Sequence, residues 1–104
     1  MASKRAVWLG LDLGTQSVKA VVWRRSPAGG QLFGEGSSRY EVSYPRPGWA
    51  EQDPSQWERG IPVAISRALA ASDASAEQVA GIGITGQLDG TIAVGSDGQP
   101  LAPA

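Results

Sequence analysis

Leu9-Gly10-Leu11-Asp12-Leu13-Gly14-Thr15-Gln16-Ser17-Val18-Lys19 runs from an apolar stretch through a carboxylate and a glycine into two hydroxyls. A second apolar run, Val18 to Trp23, follows at once. The pattern predicts a β-hairpin. Gly14 gives its turn the freedom to direct backbone amides inward. Those N–H groups, with the hydroxyls of Thr15 and Ser17, make a donor-rich concavity suited to phosphate oxygens. A carboxylate beside phosphates is repelled unless a divalent cation bridges them, so Asp12 points to Mg²⁺ as much as to a nucleotide. The hairpin alone is equally readable as a strand ending in Asp before an ordinary glycine turn.

Outward from the hairpin, 104 residues are enough for one small domain. Such a chain buries roughly 60–70% of its unfolded surface. Apolar residues at 41% against charged residues at 18% exclude a disordered chain. A net charge of −1 leaves no basic field for nucleic acid or an anionic membrane. Cysteine and histidine are both absent, which removes disulfides, thiolate nucleophiles, Cys/His zinc sites and Ser-His-Asp triads. Acid–base and metal work therefore falls to carboxylates. Lys4-Arg5 before an apolar run resembles a signal peptide, but Asp12 interrupts it early and no small-residue cleavage site follows. No run is long enough to span a membrane. The expectation is a soluble cytoplasmic protein.

Residues 6–13 and 17–24 predict two strands, apolar almost continuously and so covered on both faces. Ser26 to Gly30 is a turn. A looser alternation over 31–44 gives a third strand, and the three form an antiparallel meander. Asp53-Pro54 marks a helix start, with Asp53 as the cap. Trp57, Ile61, Ile65, Ala68 and Leu69 recur at helical spacing, so 54–72 is an amphipathic helix facing the sheet, bent at Pro62. Val79 to Thr85 is a fourth strand, reached by a crossover and so parallel to the first. Thr91–Val94 and Gln99–Leu101 flank a hairpin turn at Ser96-Asp-Gly98. With no second helix for the other face of the sheet, the chain reads as a truncated piece.

Gly81-Ile-Gly-Ile-Thr-Gly86 spells the dinucleotide fingerprint but lies inside a strand pattern with no helix opening from it. Small residues there serve helix packing against the sheet instead. No Gly-Lys-Ser/Thr occurs, so a P-loop is absent. Trp57 at helical spacing reads as core, whereas Trp49 on a loop is open to sugar stacking.

The order Leu9-Gly-Leu-Asp-Leu-Gly-Thr15, Pro47-Gly-Trp-Ala-Glu-Gln-Asp-Pro-Ser-Gln-Trp57 and Gly83-Ile-Thr-Gly-Gln-Leu-Asp-Gly90 resembles the start of the FGGY family of carbohydrate kinases. It is most similar to the xylulokinase members. The first motif is shared with the wider actin, hexokinase and sugar-kinase superfamily; the second and third are more specific. The likeness covers residues 6–104 but about the first quarter of a family member. It implies an α/β fold, the N-terminal ribonuclease-H-like lobe of an actin-like ATPase, with residues 1–104 as a single, incomplete N-terminal domain.

The resemblance further implies an ATP-dependent kinase acting on a ketopentose such as xylulose, with ATP and Mg²⁺ at the site. It places Asp12 at the metal and transferring phosphoryl group. It places Gly14, Thr15, Gln16 and Ser17 on the turn that wraps the phosphates, and Lys19 where some relatives have an arginine near them. Gln87, Leu88 and Asp89 fall on the loop that touches the sugar. There the xylulokinase pattern resembles Gly-Gln-Met-His-Gly, and Asp89 stands in place of the imidazole, as in some polyol kinases. A carboxylate accepts hydrogen bonds from two adjacent hydroxyls, and Gly86 and Gly90 let a ligand approach the backbone. Asp89 can equally be an exposed turn residue. Two alternatives stand beside the ketopentose kinase: an erythritol-type polyol kinase of the same family, and a non-enzymatic actin-like nucleotide-binding scaffold. No residue of this chain is assigned as general base.

Overall fold

The computed structural model describes residues 5–26, 29–87 and 90–104. Four strands, β1 (Val7–Leu13), β2 (Ser17–Ser26), β3 (Gly29–Arg39) and β4 (Val79–Gly86), form one sheet in the order β3-β2-β1-β4. β1 pairs antiparallel with β2 and β2 with β3, and β4 pairs parallel with β1. The crossover to β4 is α1 (Pro54–Ala71) and a short 3₁₀ turn, Ala76–Gln78. The meander, the helix and the parallel fourth strand are as the sequence predicts. β3 ends five residues earlier than the expected 44, because Tyr40 turns inward to the β1–β2 turn. Pro27 and Ala28 of the expected 26–30 turn lie outside the described residues. At 91–101 the expected hairpin closes by a single bridge, Val94 to Pro100, rather than a ladder.

Asp53 caps α1 as expected, its carboxylate accepting the Ser55 N–H at 2.9 Å. That bond holds the Asp53 carboxyl below its ordinary pKa. Pro62 lies within the helix on its exposed side, where water can serve the carbonyl its ring leaves without a donor.

The expectation of strands covered on both faces is corrected. β1 alternates: Val7, Leu9 and Leu11 are buried, while Trp8 is 44% exposed and Asp12 is exposed. One face, with Val18, Ala20 and Val22 of β2, packs against Ala64 and Ala68 of α1. The helix lies over β2 and β3. Ile82 and Ile84 of β4, in register with Leu9 and Leu11, are 53% and 71% exposed. A run of apolar residues says that a strand is apolar, not that cover for it lies in the same chain.

The glycines that admit the helix are also not those of the Gly81–Gly86 stretch. A Cβ on Gly36 would lie 2.5 Å from the Ala68 nitrogen, and one on Gly34 3.1 Å from the Ala71 carbonyl carbon. Gly81 makes room for the Trp8 ring instead, and a Cβ on Gly83 would meet nothing within 4 Å.

Candidate functional site

Side chains alternate across a sheet, so the register fixes what shares a face. Val18 and Ala20 face α1, which puts Ser17 and Lys19 on the opposite face. Asp12 stands opposite Lys19 on one side and Thr85 on the other, and Lys19 stands opposite Ser37. Asp12, Lys19, Thr85 and Ser37 thus form a polar row across all four strands. It lies beside the β1–β2 turn, at the carboxyl ends of the parallel pair. Ligands in open α/β sheets bind at this end of the strands.

The turn is closed by the Gly14 N–H donating to the Ser17 carbonyl at 2.9 Å. This revises two expectations. Gly14 is not among the glycines with positive φ, which are Gly29, Gly48 and Gly98. What its position restricts is space, since a Cβ there would lie 3.3 Å from the Ser17 carbonyl oxygen. Its amide is also consumed within the turn rather than offered to a ligand. Among the described residues no protein acceptor takes the N–H of Thr15 or of Gln16.

Two residues outside the sequence-derived site hold this turn. Tyr40 is 7% exposed; its N–H donates to the Gln16 carbonyl at 3.0 Å, and its hydroxyl reaches the Ser17 carbonyl at 2.9 Å and that of Gly14. Burial, and then the negative charge of Asp12, push the Tyr40 phenol above its ordinary pKa. Gln52, also 7% exposed, donates its side-chain amide to the Thr15 carbonyl. The Gln52 side-chain oxygen accepts from Gln87 Nε2 at 3.0 Å. Gln87 continues the β4 ladder through its N–H to the Leu13 carbonyl, 3.0 Å, and its Oε1 lies 3.4 Å from the Thr15 hydroxyl. Both residues sit in segments the sequence marks, but neither periodicity nor motif spelling signals a buried amide or phenol aimed at a distant turn.

Asp12, Thr15, Gln16, Ser17, Lys19 and Gln87 therefore gather at one end of the sheet. Leu88 and Asp89 lie outside the described residues. Gln87 stands between two pockets. One, of about 330 Å³, is apolar and lined by Leu13, Trp57, Ile84 and Ile92. The other, of about 320 Å³, carries Thr15, Gln52, Gln87 and Thr91 on its wall. Trp57 is half-buried and packs on the core, as expected. Trp49 does not join the site; it lies in a groove with Tyr44 and Pro47, and the Arg46 guanidinium sits 4.9 Å over its ring.

Among the described residues no cluster of three or more Asp or Glu could hold a metal alone. One exposed carboxylate beside a turn with outward amides suits Mg²⁺ carried with phosphates, which uses one or two carboxylates, and does not suit a self-sufficient metal cage.

Comparison with known proteins follows the same outline. The model of the FGGY family of carbohydrate kinases, N-terminal domain, matches residues 7–104. A xylulose kinase from Klebsiella pneumoniae is 38% identical over 98 residues, covering 94% of this chain and 19% of that protein. A glycerol kinase from Thermococcus onnurineus is 39% identical over 97 residues, covering 89% of this chain and 18% of that one. A crystal structure described as a xyloylose kinase from Brucella ovis superposes with a TM-score of 0.82 at 37% identity, covering 93% of this chain and 20% of that chain. The chain thus spans about a fifth of the length of these relatives. The fold is that of an actin-like ATPase N-terminal lobe, an α/β sheet with a parallel β1–β4 pair.

Proposed function

This chain belongs to the FGGY family of carbohydrate kinases, and from that premise we propose that it supplies the phosphate-binding hairpin and acceptor loop of an ATP-dependent kinase. The reaction is transfer of the γ-phosphoryl group to a hydroxyl of a small sugar or polyol, a ketopentose such as xylulose being the first candidate. The observation that carries the reading is the convergence of Asp12, Thr15, Ser17, Lys19 and Gln87 at one end of the sheet. Phosphoryl transfer needs positioning and charge neutralisation more than covalent help. The N–H groups of Thr15 and Gln16 and the turn hydroxyls, with Lys19, hold phosphate oxygens. Asp12 would hold Mg²⁺, which would supply neutralisation of charge on the phosphates. Gln87, Leu88 and Asp89 take the acceptor, and the pocket walled by Thr15, Gln52, Gln87 and Thr91 offers it hydroxyls and amides. No residue here is assigned as the base for the acceptor proton. We place residues 1–104 within one N-terminal domain of that kinase.

A polyol acceptor is the second reading. It is favoured by the similarity to proteins named glycerol kinase and by the carboxylate at Asp89. Steady-state assay of the full-length polypeptide on ketopentoses, glycerol and tetritols separates the two. Asp89→Ala should lower kcat/KM for the preferred acceptor by about 10- to 150-fold, the loss of one charge-assisted hydrogen bond, with KM for ATP unchanged. Equal kcat/KM for wild type and variant on every acceptor would remove Asp89 from the site.

A further inference from the structure

The β1–β2 turn owes its phosphate-facing geometry to two side chains bonded to its carbonyls, those of Tyr40 and Gln52. Each peptide unit is planar and trans, so its C=O and N–H point in opposite directions. The Gly14 carbonyl is bonded by the Tyr40 hydroxyl and the Thr15 carbonyl by the Gln52 amide. The N–H groups of Thr15 and Gln16, on those same two peptide planes, must therefore point away from Tyr40 and Gln52. Two successive amides so directed are what an anion-binding turn requires.

Gln52 does more than Tyr40. Its backbone is secured independently, by bonds in both directions with Ala104 at 2.9 and 2.8 Å. The side chain is therefore not needed to hold its own segment. It is buried, and both ends of its amide are committed to the two ligand-facing segments: Nε2 to Thr15 on the turn and Oε1 to Gln87 on the loop after β4. A buried amide with both ends paired is rigid, and deleting it strands partners on each side.

We propose that Gln52 is a positioning residue that aims the phosphate-binding amides and couples the turn to the acceptor loop, so that acceptor and nucleotide tighten each other's binding. The proposal rests on the kinase reading above, and the test separates the two. Calorimetry on the full-length polypeptide measures the affinity for adenylyl imidodiphosphate with Mg²⁺. Titrations are run without and with D-xylulose or glycerol, whichever the wild type phosphorylates. The wild type should bind the nucleotide at least about 5-fold more tightly when acceptor is present, the lower end of typical coupling. Gln52→Leu should weaken nucleotide binding about 10-fold and abolish the coupling. Gln52→Met, the unbranched side chain closest in shape, severs both amide hydrogen bonds and should likewise abolish the coupling.

A residue that only stabilises the fold would lower the melting temperature and leave the coupling in place. Wild-type coupling in folded Gln52→Leu overturns the proposal, as does a wild type that phosphorylates an acceptor without any coupling. Should Gln52→Leu fail to fold, Gln52→Met decides in the same way: lost coupling supports the proposal and retained coupling overturns it. A wild type that neither binds the nucleotide nor phosphorylates any acceptor overturns the kinase reading itself.

Discussion

Gly36→Ala and Gly83→Ala place the same methyl group on opposite faces of the sheet, and the two should shift stability in opposite directions. On Gly36 the new Cβ would lie 2.5 Å from the Ala68 nitrogen and the Arg67 Cβ, and 2.6 Å from the Ala64 carbonyl oxygen. Two of those atoms are helix backbone, which cannot rotate aside. α1 must lift by about 1 Å, and a gap of that size forfeits up to half of each dispersion contact at its seam. The seam includes Ala64 and Ala68 against Val18 and Ala20, all fully buried. Overpacking of this kind costs about 1–3 kcal/mol, and the helix-backbone contact puts Gly36→Ala at about 3. On Gly83 the Cβ meets nothing within 4 Å, and relief of glycine's unfolded-state entropy stabilises by about 0.5–1 kcal/mol. Urea unfolding of this chain, followed by tryptophan fluorescence, should lower the midpoint for Gly36→Ala and raise it for Gly83→Ala. Equal midpoints for the two variants would refute the argument that α1 approaches the sheet through β3.

Asp53→Ala should lower the urea midpoint at pH 7, because the carboxylate that caps α1 is lost. The Asp53 pKa is depressed in the folded chain, so its stabilisation is present above its ordinary value of 3.8 and disappears as pH falls through the folded value. The gap between wild type and variant should therefore narrow as pH falls below 3.8; a gap undiminished by acid would show that the cap does not act through its charge. Tyr40→Phe should cost about 0.5–1.5 kcal/mol, one hydrogen bond to the turn, measured by the same unfolding experiment. No change in midpoint would mean that the phenol does not hold the turn.

The sequence is informative wherever one local signal controls the outcome. Asp53-Pro54 starts the helix, the apolar spacing from Trp57 to Leu69 carries it, and the crossover rule makes β4 parallel to β1. It misleads where the answer depends on a distant surface. The apolar strands imply two covered faces, yet Trp8, Ile82 and Ile84 are left exposed. Gly81 and Gly83 look like helix contacts, while Gly34 and Gly36, scattered through a weakly patterned strand, are the real ones. Within the site, Asp12, Thr15, Ser17 and Lys19 are legible because they are adjacent in the chain. Tyr40 and Gln52 are not, since a buried hydrogen bond across 26 or 37 residues leaves no local pattern.

The central claim is that Asp12, at the end of β1 in the polar row with Lys19 and Thr85, is the carboxylate of a phosphoryl-transfer site. The most direct measurement is the turnover of Asp12→Asn in the full-length polypeptide, at saturating Mg²⁺-ATP and the acceptor the wild type prefers. Asp12 is exposed, so the variant should keep the wild-type melting temperature. Its turnover should fall by about a hundredfold or more, the scale for loss of a preorganised charge-stabilising group. Turnover within about threefold of wild type in a folded variant would contradict the account.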